Sequence, residues 1–127
     1  MKKVAKGFTL VEIMIVVAII GIIIAIAVPA FLRARENARG RACQENLSKI
    51  DGAKEQYALE YRLSNNATIV YPTDLITPPG STAAGSGYLK SAPRCPSGGT
   101  YTAGNIGVNP TCSIGSATGV FEQHVLQ

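Results

Sequence analysis

The chain has no tryptophan, one histidine (His124), three cysteines (Cys43, Cys95, Cys112), and no charge in the 20 residues from Ile13 to Leu32. Charge is also scarce at the other end, where Ser64 to Gln127 carries only Asp74, Lys90, Arg94 and Glu122 besides His124. Each shortage excludes something. With a single histidine, no nucleophile, base and orienting group can be assembled on paper, so nothing points to an enzyme. Zinc held by Cys43, Cys95, Cys112 and His124 is conceivable, but the CxxC spacing usual for such sites is missing. No metal and no other cofactor is therefore expected, and a lone histidine near a tail reads as solvated. Pro96-Ser97-Gly98-Gly99 is no phosphate loop, because no lysine and no following helix accompany it. In a chain without tryptophan, Tyr57, Tyr61, Tyr71, Tyr88 and Tyr101 read as amphipathic packing residues.

What is present is concentrated at the front. A length of 127 residues suggests one domain, and the 46 % hydrophobic content overstates any water-soluble core because the run Ile13–Leu32 holds so much of it. The net charge of +4 misleads too. Three of the twelve basic residues, Lys2, Lys3 and Lys6, precede the apolar block; without them nine face eight acids. No nucleic-acid partner follows from such a balance, and the arginines at 33, 35, 39 and 41 read as a solvated helix face.

Twenty residues in a helix extend roughly 30 Å, one bilayer core. The run admits two plain readings. It could be a secretory signal peptide with a small-residue site at Ala25-Ile26-Ala27, or a single-pass anchor. Neither explains Glu12, an acid inside the apolar block. Inserting a carboxylate into lipid is costly, and the dipole at a helix N-terminus offsets only part of that cost. A specific partner is the better explanation.

The block Gly7-Phe8-Thr9-Leu10-Val11-Glu12, followed by Ile13-Met14-Ile15-Val16-Val17-Ala18-Ile19-Ile20-Gly21, resembles the processing signature of type IV prepilins and type II secretion pseudopilins. Pro29 falls where that family places a helix-bending proline. The resemblance implies cleavage between Gly7 and Phe8 by a prepilin peptidase, methylation of the new Phe8 amine, and retention of the apolar segment. It implies that Glu12 meets the amine of a neighbouring subunit during assembly of a helical homo-oligomer. Two charges that are each unfavourable in an apolar bundle become tolerable as a hydrogen-bonded pair. It also implies an inner-membrane precursor with a cytoplasmic N-terminus, handled by pilus or secretion machinery and then moved into a periplasmic or extracellular filament. The positive-inside count is nearly tied between the leader lysines and the arginines after Leu32, so orientation comes from the resemblance.

The expected architecture is α+β, a long N-terminal α-helix carrying a small C-terminal antiparallel β head. Its parts are a leader at 1–7, a transmembrane and filament-core helix at 8–32, an amphipathic continuation at 33–63, and a Gly/Ser/Thr-rich head at 64–127. In the continuation, Cys43, Leu47, Ile50, Ala53/Lys54, Tyr57 and Tyr61 recur at helical spacing, with the Glu45–Lys49 and Asp51–Lys54 pairs on the wet side. Pro29 lacks an N–H and crowds the Ala25 carbonyl, so a bend, with local unwinding in a filament, is expected over Gly21–Pro29. Thr77 to Gly87 reads as a loop. Gly99–Ala103 and Ile106–Val108, joined by a Gly104-Asn105 turn, read as a hairpin.

Cys95 and Cys112 bracket that hairpin and are the expected disulfide, worth roughly 3 kcal/mol to a thin head. Three cysteines allow three single pairings, and Cys43 is the alternative partner. The function expected is a structural pilin subunit. The alternatives are a pseudopilin of a type II secretion or DNA-uptake system, or, from another class, a membrane-tethered or secreted binding module.

Overall fold

The computed structural model describes residues 7–83, 85–115 and 123–126, so the lysines of the expected leader lie outside the described residues. The elements, in chain order, are α1 (Leu10–Glu60), α2 (Thr73–Ile76), β1 (Tyr101–Thr102), β2 (Thr111–Gly115) and β3 (His124–Val125). The fold is α+β. The chain divides into two compact units between Arg35 and Glu36.

In the first unit α1 is apolar around its whole circumference from Ile13 to Leu32, and every described residue through Arg35 is exposed. Leu10 to Arg35 is helical throughout, including Gly21 and Pro29. The helix is long and apolar enough to cross a membrane, with a mean hydropathy of 3.1 over its most apolar stretch, none of which is buried.

In the second unit the same helix becomes one-sided. Gly40, Cys43, Leu47, Ile50, Ala53, Lys54, Tyr57 and Ala58 are buried at spacings of one, three and four residues, the stripe a helix presents to a core. The helix stops at Glu60, three residues short of the expected Leu63. Arg62 turns into the left-handed region (φ 52°), the Leu63 N–H donates to the Ala58 carbonyl at 2.9 Å, and the Arg62 N–H donates to Leu59 at 3.4 Å. That is a Schellman ending with arginine in the place usually held by glycine, so the usual sequence signal is missing.

Beyond the helix, α2 is one turn whose Leu75 plugs the core beside Ile50, Ala53, Tyr57, Ala58, Ala103 and Ile106. The chain returns along α2 through bonds from the Gly87 N–H to the Ile76 carbonyl and from the Leu89 N–H to the Leu75 carbonyl, both 2.9 Å. A Cβ at Gly87 would sit 2.4 Å from the Leu75 carbonyl oxygen, so only glycine permits this approach.

The three strands are antiparallel in the order β1-β2-β3. Tyr101 faces Cys112 and Thr102 faces Thr111; on the other edge Thr111 faces Val125 and Gly115 faces His124, with a register irregularity between them. The expected hairpin partner Ile106–Val108 is corrected to Thr111–Gly115. Ile106 bonds elsewhere: its N–H donates to the Ala67 carbonyl at 3.0 Å and its carbonyl accepts from the Asn66 N–H at 2.9 Å. Lys54 holds the same loop from below. Its Nζ is fully buried and donates to the carbonyls of Ala103 (2.8 Å) and Val108, with Asp51 Oδ1 3.6 Å away. The Asp51–Lys54 pair expected on the wet side is thus buried at its lysine end.

Candidate functional site

The N-terminal stretch is organised by a reciprocal cap. Thr9 precedes the helix and Glu12 sits three residues on, the spacing of a capping box. The Glu12 carboxylate accepts from the Thr9 N–H and from the Thr9 hydroxyl, both at 2.8 Å, and the Glu12 N–H donates to Thr9 Oγ1 at 3.3 Å. The acid that looked unexplained therefore has a local partner within its own chain, and it is held in the first turn where the helix dipole favours it. The Thr-x-x-Glu spacing was legible in the sequence and is the signal that identifies the cap. Gly7 and Phe8 lie immediately before it, with Phe8 87 % exposed.

A second constellation lies wholly within the Glu36–Gln127 unit. Cys43 from α1, Cys95 from the segment before β1, Cys112 from β2 and His124 from β3 bring one donor atom each to within 4.8 Å of one another, and all four residues are buried. His124, expected to be solvated, is only 2 % exposed, with Nδ1 3.6 Å from Cys95 Sγ. The cysteines are free thiols. Cys95 and Cys112 lie close together without the expected disulfide between them, and Cys43 and His124 meet them at the same point.

Side chains of α1 that flank Cys43 fix this cluster. Gln44 Nε2 donates to the Gln123 carbonyl at 2.8 Å, anchoring the residue before His124. Asn46 Nδ2 donates to the Arg94 carbonyl at 3.1 Å, anchoring the residue before Cys95, and also to the Tyr101 hydroxyl oxygen at 3.2 Å. That leaves the Tyr101 O–H for the Cys43 sulfur beside it. Gly99 passes so close to the sulfur of Cys112 that a Cβ there would lie 2.6 Å from it. Electrostatically the thiols differ. Burial, above all, pushes Cys43 up to about 12. Burial acts on Cys95 in the same sense, but the N–H groups of Ser97 and Gly99 aimed at its sulfur, with Cys43 and Cys112, hold it below the ordinary thiol value.

Comparison with known proteins bears on the N-terminal stretch first. Residues 2–28 match the family model described as the prokaryotic N-terminal methylation motif. The chain is 33 % identical over 113 residues to type II secretion system core protein G of Vibrio cholerae, covering 80 % of this chain and 73 % of that protein. The chain belongs to the type IV pilin and type II secretion pseudopilin family. The core protein G of Escherichia coli is 29 % identical over 118 residues, covering 88 % of this chain and 80 % of that protein. The type IV major fimbrial protein of Dichelobacter nodosus is 52 % identical, but over 58 residues that make up 46 % of this chain and 34 % of that protein. No solved structure matches. These relatives are named as secretion-system core proteins and a type IV fimbrial protein, not as enzymes.

The methylation-motif match covers the N-terminal stretch singled out in the sequence, whereas the sequence did not reveal what the head assembles. Cys43, Cys95, Cys112 and His124 come from four separate places in the chain, so local spacing carries no sign that they meet.

Proposed function

We propose that the chain is a filament subunit, cleaved between Gly7 and Phe8, methylated at the new Phe8 amine, and polymerised through its N-terminal helix. The observation that carries this reading is the first unit: an apolar helix with no buried residue, which needs another apolar environment on every side. The inner membrane supplies it first, with the N-terminus cytoplasmic, and packed copies of the same helix supply it afterwards. Lipid tails are as apolar as the isoleucines they contact, so exchanging lipid for neighbouring helices is nearly neutral in hydrophobic terms and does not choose a register. A polar pair can choose it. In the proposed filament the Glu12 carboxylate, which Thr9 holds at the tip of the free chain, pairs with the amine of a neighbouring Phe8.

Within an assembled filament, the stretch Gly21–Pro29 is where bending or unwinding would occur first. Pro29 cannot bond the Ala25 carbonyl, and Gly21 adds no side-chain packing. The second reading, a type II secretion pseudopilin, is favoured by coverage. An alignment over 80 % of this chain must extend beyond the 51 residues of α1 into the head, whereas the fimbrial match spans 46 %. Prepilin peptidase and a pilus or secretion assembly machine are the implied partners.

The test is intact mass and N-terminal sequencing of the chain from its host, followed by Glu12→Ala without wild-type subunits. A methylated Phe8 start and loss of filaments in the variant are expected. A start at Val28, an uncut Met1, or normal filament numbers from Glu12→Ala would overturn the reading. The first two would point to a secreted or membrane-tethered binding module. Electron microscopy of sheared surface filaments then separates an extracellular pilus from a short periplasmic one.

A further inference from the structure

We propose that Cys43, Cys95, Cys112 and His124 form a structural zinc site that ties α1 to the sheet of the head. The donor set is three thiols and one imidazole, the Cys₃His combination of closed zinc sites, with no position left for a substrate. A tetrahedral zinc ion with bonds of about 2.3 Å to sulfur and about 2.0–2.1 Å to nitrogen has S···S edges of about 3.8 Å and S···N edges of about 3.6 Å. The Cys95 Sγ to His124 Nδ1 distance is 3.6 Å, and no pair of donor atoms in the cluster is more than 4.8 Å apart.

Two other readings of the same residues fit less well. As a plain core, the cluster would bury an imidazole at 2 % exposure against sulfur, a weak partner for a group that loses its water. As a disulfide, Cys95–Cys112 would use two of the four groups and leave Cys43 and His124 buried at the same point without a task. The zinc reading uses all four. It also gives a purpose to the surroundings. Gln44 and Asn46, one and three residues beyond Cys43 on the same helix, each anchor the residue preceding another ligand. Gly99 supplies the clearance that the Cys112 sulfur occupies.

Binding balances as one Zn²⁺ taken up and three thiol protons released, with neutral His124 giving a nitrogen lone pair, so the bound centre carries one net negative charge. Soft thiolates with imidazole in a tetrahedral arrangement select zinc over calcium or magnesium. In a head whose described residues form a sheet of three short strands, the ion would do the work of a covalent staple, joining α1, the segment before β1, β2 and β3 at one point.

The experiment uses the full chain, purified in mild detergent without chelator from zinc-replete cells. Zinc is quantified by elemental mass spectrometry and thiols by alkylation and intact mass. Expected are one zinc per chain, three thiols that alkylate only after chelation, and, on exchange with Co²⁺, the thiolate charge-transfer and tetrahedral ligand-field bands. Cys43→Ser and His124→Ala should lose stoichiometric zinc, and His124→Cys, which restores four donors, should regain it even if His124→Ala folds poorly. A Cys95–Cys112 disulfide in the isolated chain, three free thiols without zinc, or full zinc retention in His124→Ala would each overturn the site.

Discussion

The two stretches of α1 are one helix by backbone and opposite by environment. Up to Arg35 no described residue is buried; from Glu36 to Glu60 eight are. The difference lies in the sequence of each stretch. Between Ile13 and Leu32 every position is apolar or small, so no face is preferred and the segment suits surroundings that are apolar in all directions. After Arg33, charged residues at Arg35, Glu36, Arg41, Glu45 and Lys49 alternate with Cys43, Leu47 and Ile50, so one stripe faces a core and the rest faces water. The first stretch waits for partners outside the chain. The second finds its partners in the residues that follow it.

The comparison breaks most severely if the buried stripe is emptied at Lys54. This lysine is the charged member of an otherwise apolar set, and its ammonium satisfies the Ala103 and Val108 carbonyls in the interior. Lys54→Ala removes the donor and leaves the buried Ala103 carbonyl and the part-buried Val108 carbonyl without it, a loss of about 2–4 kcal/mol. Thermal or denaturant unfolding of the full chain in detergent, followed by near-ultraviolet circular dichroism of the head tyrosines, should show the largest drop of any single variant here. Lys54→Met keeps the stem's packing and should lose less. If both variants unfold with the wild type, Lys54 does not hold the loop.

The same residue shows what was legible in the sequence and what was not. The helical period placed Cys43, Leu47, Ile50, Ala53/Lys54, Tyr57 and Tyr61 on one face; all but Tyr61, which is half-buried just past the helix end, are buried, because burial along a helix follows local spacing. The partners of that face were not legible. Gly104-Asn105 carried a hairpin signal, yet the chain at Ile106 bonds to Asn66 and Ala67, forty residues earlier, and the strand forms only at Thr111. A turn dipeptide reports local preference; which strand fills the next place is decided by Ile106 entering the core and by Lys54 beneath it. His124 failed for the same reason, since nothing near it in sequence announces Cys43 across the fold. At the N-terminus the opposite held. The processing block and the Thr9–Glu12 cap are both contiguous; the block was recognised, while the Thr-x-x-Glu spacing was passed over in favour of a partner outside the chain.

A smaller break is expected at Gly87, where chain meets chain in the head and side-chain rearrangement cannot help. The atoms a Cβ would strike belong to the Leu75 and Ile76 backbone. Gly87→Ala must push the return segment away from α2 and weaken the bond to the Ile76 carbonyl, at a cost of about 1–3 kcal/mol. Gly52, on the exposed side of α1 with open space around it, is the control: Gly52→Ala should stabilise by up to about 1 kcal/mol through helix propensity. Chemical unfolding of the two variants side by side reads the contrast, and equal stabilities would remove the close-approach argument.

The smallest effect on the head is expected from the stretch that looks most hydrophobic. Ile19 is 52 % exposed and lies in the first unit. Truncating it to alanine deletes apolar surface, yet the deleted atoms touch none of the core that unfolds with the head, and alanine is the better helix former. Head stability in detergent should therefore stay within about 0.5 kcal/mol of wild type. The cost appears where copies pack. Each subunit loses methyl and methylene contacts to its neighbours, and in a filament that loss repeats along the whole length, so Ile19→Ala filaments should shear into shorter pieces under equal force. Contrasting readouts from one substitution test whether the first stretch stabilises only the assembly. A head that melts earlier in Ile19→Ala, or filaments that resist shear as wild type does, would show that the helix is not divided in its work at Arg35.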